Sequence, residues 1–499
     1  MKRYMHAITP FPRYVLRKIV TGDRMYSNII SFFSVFCKEK SRRYAIIIAM
    51  KVQFPEKLAE VQEISGKPLY LVGGAPRNAV IGFPPSADFD LCGELSAEAF
   101  SDAAKKAGLT VSAVYPRTGT VRLKLPAAVA EYTSFRKETY PAGGSHTPLS
   151  VIFSASLEED AQRRDFTANA IYYDLKRDEF VDPTGGISDA KNRILRCVSQ
   201  KTFQSDGLRL LRMARFAAEL GFSVAPETLL SAKENAANID DIAGERILEE
   251  LKKILSAPER YPGSEKDASF GLRLLHKADV LCRLFPFVKE ADGLKQRADF
   301  HDHDVLEHTF RAVRYIKGDF PLRLAAFLHD AGKPEAMKTL GKCAGHEEIG
   351  ARIAEETLTR LKASNELKNR VTSLVKLHMF DVTGTAREIT RRRFVIKNAE
   401  MLPDLLRLMQ ADFSACKDDF SVAPNVTRLS SSLAECRALG VPMSLKELQI
   451  SANDLLSLGF SGREVGEELA YLWDLAIADP KLNDKDKLYH IAKRKKENG

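Results

Sequence analysis

Residues 69–91 constrain the fold of this chain more than any other stretch, because they combine two strand-like runs with glycines and acidic residues. The first apolar run leads into Gly73 and Gly74, and the second run carries Asp88 and Asp90. Side chains alternate across a strand, so we expect these two carboxylates to project from one face. Carboxylates on one face repel each other unless a cation neutralises them, and their hard oxygen atoms suit Mg²⁺. The stretch therefore predicts a metal site on a sheet.

The glycine pair, together with a helix expected to begin at Pro76, predicts a phosphate-binding element beside that site. Glycine lets the backbone come close to a ligand, and a helix N-terminus favours an anion. Proline fits the first helical turn, where its missing N–H costs nothing. No G-K-[ST] follows and no G-x-G-x-x-G is present, which excludes a Walker loop and a dinucleotide fingerprint. A glycine turn or a D-x-D loop is common by itself, but their order here predicts a nucleotide site.

Length and composition are those of a globular protein with several domains. At about 100–200 residues per domain, 499 residues predict three or more domains. The contents of 44% hydrophobic and 28% charged residues are ordinary. The longest apolar runs are too short to span a bilayer, so we expect no membrane association. Seven cysteines, odd in number and without C-x-x-C spacing, predict reduced thiols and a cytoplasmic location.

Residues 1–49 form a basic leader that differs from the remainder of the chain. Ten Lys and Arg against two acidic residues give the leader a net charge of +8 out of a total of +9. The other 450 residues therefore carry about +1, so any nucleic-acid surface must come from local basic patches. The leader lacks the plan of a signal peptide. We expect Met50 to be the physiological start of the protein. Alternatively, the leader is an organelle presequence or an RNA-binding arm. N-terminal sequencing of the native protein would distinguish these possibilities.

The apolar spacing predicts an α+β head, with a small mixed sheet and helices, followed by an all-helical remainder. Strand-like runs occur at residues 69–72, 88–91, 111–114, 120–125, 130–135, 171–174 and 179–182. We expect a head over residues 50–185, a neck over 186–245, a helical body over 246–295, a histidine-rich domain over 296–420 and a helical tail over 421–499.

Two further groups of the head carry candidate chemistry. Glu131 lies on a predicted strand, and a third carboxylate would complete a two-metal site, although spacing alone favours a surface glutamate. The sequence R-R-D-F-T-A-N-A places Arg163 and Arg164 beside Asp165. This donor–acceptor set suits phosphate and ribose hydroxyls; the ordinary alternative is a salt-bridged helix start.

The stretch at residues 203–222 has helical periodicity and places Asp206 three residues before Arg209. Such a pair is most often a surface salt bridge of small energy. It also has a specific capacity, since cytosine and adenine both offer an amino donor next to a ring-nitrogen acceptor. A carboxylate and a guanidinium match that pattern, whereas guanine and uracil present the reverse pattern. The pair could thus select C and A without a template.

These motifs together carry a family resemblance. G-G-A-P-R-N with D-F-D, R-R-D-F-T-A-N-A, D-P-T-G-G-I-S-D and S-D-G-L-R-L-L-R-M-A-R-F follow one another over residues 69–222. In that order they resemble class II tRNA nucleotidyltransferases, which are the CCA-adding enzymes and their poly(A) polymerase relatives in the polymerase-β superfamily. The resemblance implies a nucleotidyltransferase head and template-independent addition of C, C and A to tRNA from CTP and ATP.

The resemblance also implies roles for particular residues. Asp88 and Asp90 would hold Mg²⁺ with Glu131 as the third carboxylate, and the remaining roles fall to the triphosphate, the ribose and the base. The implied nucleotide-binding residues are Gly73, Gly74, Arg77, Arg164, Asp165, Asn169, Asp206, Arg209, Arg212 and Arg215. Two positions depart from the family pattern, since Asn78 and Ser205 stand where acidic residues are usual.

Six of the ten histidines fall between residues 301 and 378. The series resembles the HD phosphohydrolase domain, which implies metal ligands at His308, His329, Asp330 and Asp412. His346 and His378 would add a second metal. Imidazole with carboxylate suits a transition metal such as Mn, Fe, Ni or Zn. The domain would hydrolyse phosphomonoesters or 2′,3′-cyclic phosphates at RNA ends, or would serve as a structural part of the helical body.

Alternatives to full CCA addition remain within the same chemistry and outside it. Within it are C-only addition, A-only addition and polyadenylation. Outside it are a metal phosphohydrolase that uses a degenerate head to bind RNA, and a non-catalytic RNA-binding protein. In the tail, Gly462-Arg463 and the terminal K-R-K-K run predict contacts with tRNA phosphates, with a solvated charge run as the ordinary alternative.

Overall fold

The computed structural model describes residues 51–85, 88–126, 128–139, 150–153 and 156–498, so the predictions for the leader lie outside the described residues. The chain divides into two compact units. The first comprises Met1–Thr133 and Tyr172–Val181, and the second comprises Ser134–Ile171 and Asp182–Gly499.

The described residues form short strands and many helices. The strands are β1 Leu69–Val72, β2 Asp88–Gly93, β3 Thr110–Tyr115, β4 Thr120–Lys124, β5 Val129–Ser134, β6 Arg136–Thr139, β7 Ser150–Phe153, β8 Tyr172–Asp174, β9 Glu179–Val181, β10 Ile194–Leu195 and β11 Ser223–Val224. The helices up to the histidine-rich region are α1 Lys57–Ser65, α2 Gly74–Ile81, α3 Ala97–Lys106, α4 Leu157–Gln162, α5 Gly186–Lys191, α6 Thr202–Ser205, α7 Leu208–Leu220, α8 Pro226–Glu234, α9 Gly244–Leu255, α10 Ala257–Arg260, α11 Phe270–Lys277, α12 Leu281–Leu284 and α13 Phe287–Ala291. The later helices are α14 Val305–Tyr315, α15 Phe320–Leu328, α16 Lys333–Leu340, α17 His346–Arg360, α18 Asn365–Leu377, α19 Glu388–Lys397, α20 Leu402–Lys417, α21 Pro424–Ala438, α22 Ala452–Ser457, α23 Arg463–Ala478 and α24 Lys485–Asn498. Short 3₁₀ turns lie at Pro116–Thr118, Thr167–Asn169, Ala236–Ile239, Pro262–Ser264, Leu445–Glu447 and Pro480–Leu482.

The first unit is built on one seven-stranded sheet with the strand order β3-β4-β5-β2-β1-β8-β9. Strand β1 pairs antiparallel with both β2 and β8. One face of the sheet is covered by a core in which the rings of Phe100 and Tyr132 stack at 3.8 Å. Leu71 and Leu91 also belong to this core. Alternation along each strand then directs the intervening side chains to the opposite face, where the predicted carboxylates lie.

The second unit consists mostly of helices and contains little β-sheet. A hairpin of β6 and β7 and a parallel pair of β10 and β11 precede the long run of helices. Helix α7 packs against α9 and α11 through buried side chains that include Leu211 and Ala214. Helices α14, α15, α18 and α20 pack together around the histidines. The tail has a hydrophobic cluster of its own, formed by residues between Leu448 and Ala492.

The predicted order of an α+β head and a helical remainder is confirmed, and all seven predicted strand runs are strands. Two local predictions were wrong. Helix α2 begins at Gly74 rather than at Pro76. The helix expected over 203–222 is broken at Asp206, whose backbone is extended. At the break the Asp206 carboxylate accepts from the N–H of Leu208 at 2.9 Å, which satisfies a donor at the start of α7.

In the described part of the chain, none of the helices combines the length and apolar character needed to cross a bilayer.

Candidate functional site

The predicted carboxylates of the head lie on the sheet face that points away from the core. Asp88 and Asp90 are exposed, whereas Phe89 between them is buried in the core. Glu131 on β5 is partly exposed and lies between two buried neighbours, and β5 is next to β2 in the sheet. Val72, directly opposite Asp90 in the pairing of β1 with β2, lies on the same face. All three carboxylates thus lie on the same face of the sheet, as the alternation of side chains along the strands predicts.

Glu131 is held by an arginine of the neighbouring strand. Arg122 is its cross-strand partner, and Arg122 Nε donates to Glu131 Oε2 at 2.8 Å. Among the described residues, Asp88, Asp90 and Glu131 do not form a group of three ligand atoms within 4.8 Å of one another. The two aspartates are a hard oxygen donor pair that fits Mg²⁺. Arg122 occupies Oε2 of Glu131, so Oε1 is the oxygen that remains for a metal.

The glycine turn lies against the aspartate pair. Gly73 adopts a φ of +78°, and a Cβ added there would lie 3.3 Å from Asp90 Oδ2. Arg77, on the helix that follows, is buried, and its Nη2 donates to Asn78 Oδ1 at 3.1 Å. Asn78 Nδ2 in turn donates to the carbonyl oxygen of Pro84 at 3.1 Å. The uncommon Asn78 therefore orients Arg77 through an amide oxygen, without the charge that an acidic residue would supply.

In the second unit, a buried aspartate holds the two neighbouring arginines of the R-R-D motif. Asp160 Oδ1 accepts from Arg163 Nε at 2.8 Å, and Asp160 Oδ2 accepts from Arg164 Nη2 at 3.0 Å. Asp160 is fully buried on helix α4, and the arginines follow the end of that helix rather than begin one. The sequence-based prediction missed Asp160, although its spacing of three and four residues from the arginines was a helical signal.

Asp165 is the acceptor centre of this region. Its Oδ2 accepts from Nε and Nη2 of Arg212, at 2.8 and 2.6 Å. Its Oδ1 accepts from the backbone N–H of Phe166 at 2.8 Å and from Asn169 Nδ2 at 3.1 Å. Burial by itself would raise the pKa of the Asp165 carboxyl, but the guanidinium groups of Arg212 and Arg209 hold that pKa well below its usual range. Three of the predicted nucleotide-binding residues, Asp165, Asn169 and Arg212, are thus joined in one network.

We expect Arg212→Met to destabilise the protein by about 3 kcal/mol near neutral pH, because it leaves the buried Asp165 without its bidentate partner. The figure stands at the lower end of the usual range, since the Arg212 side chain is itself 36% exposed. Urea unfolding measures the change. Arg283→Met is the control, because it breaks a surface pair with Asp240 and should change stability little.

The same network predicts a pH dependence for Asp165→Asn. The pKa of Asp165 is lower in the folded than in the unfolded protein, so its ionised form stabilises the fold above the unfolded pKa of about 4. That contribution is lost as the pH falls below this value. The difference in unfolding free energy between the wild type and Asp165→Asn should therefore shrink between about pH 7 and about pH 3.5. A constant difference over this range would contradict the role of Asp165.

The proposed base-reading pair is positioned by backbone groups. Asp206 lies before helix α7, and its Oδ1 accepts from the N–H of Leu208 at 2.9 Å. Arg209 donates from Nη1 to the carbonyl oxygen of Thr202 at 3.2 Å and from Nη2 to that of Arg163 at 2.6 Å. These contacts use two of the five N–H groups of the guanidinium. Both side chains are therefore oriented before any ligand binds.

Two other predicted residues of this region contact groups within the protein. Arg215 Nε donates to Glu250 Oε2 at 2.7 Å, and Arg215 Nη1 lies 3.4 Å from Glu219 Oε2. Both glutamates are buried. Ser205, which replaces an acidic residue, donates from its hydroxyl to the carbonyl oxygen of Lys201 at 2.8 Å. Arg215 thus anchors α7 to its neighbours, and Ser205 closes the short helix α6.

The predicted histidines and aspartates of the helical region converge on one buried cluster. Nε2 of His308 lies 3.2 Å from Nε2 of His329 and 3.0 Å from Asp412 Oδ1. Nε2 of His346 lies 3.1 Å from Asp330 Oδ1. It also lies 3.4 Å from Nε2 of His378. Two sets with ligand atoms within 4.8 Å result, namely His308 with His329 and Asp412, and His329 with Asp330 and His378.

The donor set of this cluster fits a transition metal. Nδ1 of His329, His346 and His378 each lies 2.6 to 2.7 Å from the backbone carbonyl oxygen three residues earlier. Such bonds place the proton on Nδ1 and leave Nε2 as the ligand atom. Burial lowers the pKa of His378 to about 3, whereas Asp330 and Asp412 overcome the effect of burial and raise the pKa of His329 to about 10. Imidazoles with carboxylates suit Mn, Fe, Ni or Zn.

The prediction missed a lysine that contacts this cluster. Lys333 is buried, and its Nζ lies 2.7 Å from Asp330 Oδ2 and 2.7 Å from Gln296 Oε1. The signal was present in the sequence H-D-A-G-K, where Lys333 follows Asp330 by three residues. Gly332 is required there, because a Cβ would lie 2.1 Å from the carbonyl oxygen of His346.

The basic groups predicted for the tail differ in their surroundings. The side chain of Arg463, the first residue of α23, is 93% exposed. Its Nε lies 2.7 Å from Glu467 Oε1. Lys495 and Lys496 near the end of α24 pair with Glu468 and Glu464, at 2.5 and 3.0 Å. Part of the terminal charge run is therefore neutralised within the tail.

Three profiles of known protein families match successive segments of the chain. The profile described as "Poly A polymerase head domain" matches residues 69–196. The profile described as "Probable RNA and SrmB- binding site of polymerase A" matches residues 221–292. The profile described as "HD domain" matches residues 305–412.

Three curated relatives have different printed activities. An A-adding tRNA nucleotidyltransferase of Deinococcus radiodurans is 36% identical over 64% of this chain and 74% of its own length. A multifunctional CCA protein of Xanthomonas campestris is 30% identical over 82% of this chain and 98% of its own length. A CC-adding tRNA nucleotidyltransferase of Thermus thermophilus is 31% identical over 69% of this chain and 76% of its own length.

The fold is also found among solved structures. The CCA-adding enzyme of Bacillus stearothermophilus in complex with CTP matches with a TM-score of 0.59 at 21% identity. The match covers 92% of this chain and 99% of that protein, so the two share a fold over nearly their full lengths.

Proposed function

This chain belongs to the tRNA nucleotidyltransferase family, and on that premise we propose that it adds C, C and A to the 3′ end of tRNA. CTP and ATP are the proposed substrates, and no nucleic-acid template is required. The Xanthomonas relative, whose match extends over 98% of its own length, is a CCA protein, which favours the complete product over a single-nucleotide product. We also infer a reducing, cytoplasmic location, since the seven cysteines of the sequence are odd in number and lack C-x-x-C spacing.

The observation that carries this proposal is the fixed placement of Asp206 and Arg209. The carboxylate of Asp206 retains lone pairs that can accept from the amino group of cytosine or adenine. Arg209, oriented by two carbonyl oxygens, can donate to the adjacent ring nitrogen. Guanine and uracil would place a carbonyl against the carboxylate, so both bases would be rejected. This selectivity corresponds to the two nucleotides that CCA addition consumes.

The remaining residues divide between the reacting phosphate and the nucleotide. In the proposed reaction the tRNA 3′-hydroxyl attacks the α-phosphorus of CTP or ATP, and the bond to pyrophosphate breaks. Gly73, Gly74 and Arg77 are assigned to the triphosphate, and Arg164, Asp165 and Asn169 to the ribose. Mg²⁺ on Asp88 and Asp90, with Glu131 as the third carboxylate, would supply charge neutralisation. Arg212 holds Asp165 in place, and Arg215 holds α7.

To test this proposal, the protein is incubated with tRNA that lacks its 3′ C-C-A and with labelled CTP, labelled ATP or both. The lengths of the products are then measured. We expect both C residues with CTP alone and the complete C-C-A only when both nucleotides are present. A second substrate, tRNA that already ends in C-C, tests the A-only alternative that the Deinococcus relative raises. Addition of A to this substrate, with no addition of C to the first, would replace our proposal by that alternative. Long runs of one nucleotide would indicate polyadenylation.

A second candidate function is phosphohydrolysis by the histidine cluster. Its support is the convergence of His308, His329, Asp330 and Asp412, with His346 and His378, in a buried group whose donors fit a transition metal. The proposed substrates are phosphomonoesters and 2′,3′-cyclic phosphates at RNA ends. Lys333 beside Asp330 supplies a cation that could attract a phosphate. The metal itself would act as a Lewis acid on the phosphoryl oxygen.

We expect Asp330→Asn to abolish hydrolysis of 2′,3′-cyclic AMP to the 2′- or 3′-monophosphate while C-C-A addition continues unchanged. The reason is that Asp330 belongs to a ligand set of the cluster and to none of the groups assigned to the nucleotide. Chromatography separates the monophosphate from the cyclic nucleotide after loading with Mn²⁺, Ni²⁺ or Zn²⁺ in turn. Asp319→Asn, which alters a carboxylate at the start of α15, is the control. Equal hydrolysis by the wild type and Asp330→Asn would reject this second function.

A further inference from the structure

A third group of potential metal ligands adjoins the histidine cluster. His301, His308 and Cys416 each offer a ligand atom, and these atoms lie within 4.8 Å of one another. The match to the HD family covers residues 305–412, so His301 precedes the matched segment and Cys416 follows it. His308 therefore belongs to both groups, whereas the other two residues have no part in the sets described above.

Backbone hydrogen bonds bring His301 and Cys416 together. The N–H of Asp302 donates to the carbonyl oxygen of Cys416 at 3.0 Å, which ties the segment before α14 to the last turn of α20. The N–H of His301 donates to the carbonyl oxygen of Arg297 at 3.0 Å. Cys416 follows Asp412 by one helical turn, so both side chains project from the same face of α20. The proximity of the two residues thus follows from the fold.

The two imidazole rings of this group differ from the other rings of the cluster. His301 and His308 meet edge to face, with ring centroids 5.0 Å apart. Within the described part of the chain, Nδ1 of His301 and Nδ1 of His308 are buried without a hydrogen-bond partner. The three other cluster histidines each bond a backbone carbonyl through Nδ1. Buried polar atoms without a partner call for an explanation, and a bound ion is one that also accounts for the nearby thiol.

We propose that His301, His308 and Cys416 bind a transition-metal ion at a position that adjoins the HD cluster and shares His308 with it. A thiolate with imidazoles selects Zn²⁺, Co²⁺ or Fe²⁺ over Mg²⁺ and Ca²⁺. On binding, the S–H bond of Cys416 breaks, the sulfur donates an electron pair to the metal and the proton leaves to solvent. The proposal goes beyond nucleotide addition and does not require phosphohydrolase activity.

Titration of the metal-stripped full-length protein with Co²⁺ tests the site, because thiolate ligation to Co²⁺ gives a near-ultraviolet charge-transfer band that imidazole and carboxylate ligands do not give. We expect the band in the wild type and its loss in Cys416→Ser. His301→Gln should weaken the Co²⁺ affinity reported by the band by at least about tenfold. Cys282→Ser is the matched control. The thiol of Cys282 donates to a backbone carbonyl oxygen at 3.3 Å, as the thiol of Cys416 does to that of Asp412 at 3.4 Å, but Cys282 belongs to no such group among the described residues.

The outcomes separate this proposal from the phosphohydrolase proposal. Loss of the band in Cys416→Ser, with Co²⁺ still bound, supports the new site and leaves the histidine–aspartate cluster intact. Co²⁺ binding to the wild type without the band, or a band that persists in Cys416→Ser, overturns it. If Cys416→Ser does not fold, alkylation of the wild type with iodoacetamide tests the site in its place. Zn²⁺ must then protect Cys416 but not Cys282, as read by peptide mass mapping, and equal alkylation of Cys416 with and without Zn²⁺ overturns the proposal.

Discussion

Asp90→Asn is expected to lower the rate of nucleotide addition by at least about 10³-fold, because it removes one of the three carboxylate charges assigned to the metal. Asparagine has the shape of aspartate, and the pairing of β2 with β1 uses backbone groups, so the sheet should persist. Gly73 would still lie against the side chain, since the amide occupies the same space. The effect should therefore fall on the chemical step rather than on folding.

Single-turnover incorporation of labelled CTP measures this effect, and filter binding of tRNA is measured in parallel and should be unchanged. Glu94→Gln is the control, because it neutralises an exposed carboxylate just beyond β2 whose partner is Lys67. Incorporation by Asp90→Asn at the rate of this control would remove Asp90 from the metal site. Asp88→Asn should behave as Asp90→Asn does, since both carboxylates lie on the same face.

The second large effect concerns the choice of base. We expect Asp206→Asn to reduce the preference for CTP over UTP by at least about 10²-fold, because a site built to hydrogen-bond one pattern of groups rejects the other strongly. A carboxylate only accepts, whereas the amide of asparagine can also donate to the carbonyl oxygen of uracil. The amide oxygen can still accept from the N–H of Leu208, so the start of α7 should be preserved.

The measurement is kcat/KM for CTP and for UTP on the same truncated tRNA. Asp240→Asn serves as the control, because it alters an exposed carboxylate whose partner is Arg283 on α12 rather than a group of α7. If the ratio of CTP to UTP is the same in Asp206→Asn and in the control, the base is read elsewhere. Arg209→Lys offers an independent check, since lysine keeps the charge but loses the planar group that two carbonyl oxygens orient.

Much of the fold could be predicted from local pattern. Strands β4 and β5 were found because apolar and polar residues alternate with a period of two, which reports burial of one face, whereas β1 was found as a short apolar run. The hairpin of β6 and β7 was missed, since its first strand, Arg136–Thr139, is polar and offers little alternation. The break of the helix at Asp206 was also missed. At that residue the backbone is extended and the carboxylate accepts from the N–H of Leu208, which the helical spacing of the apolar residues does not indicate.

In the candidate site, too, the sequence identifies the residues but not the groups with which they pair. The residues of the site could be identified from motifs, but the side chains that they contact could not be predicted. Glu131 is paired with Arg122 because β4 and β5 are adjacent in the sheet. Asp165 is paired with Arg212, which follows it by 47 residues. Such contacts depend on how distant segments pack, and neither periodicity nor motif spacing reports that packing.

The sequence by itself determined the period-two strand that places Asp88 and Asp90 on one face, and the order of motifs that indicates a tRNA nucleotidyltransferase. These features are local, since they follow from backbone geometry over a few residues. Tertiary structure alone decided that His301 and Cys416 adjoin His308, because the hydrogen bond from Asp302 to Cys416 joins segments more than one hundred residues apart. No local rule relates such positions, so only the packed helices reveal that ligand group.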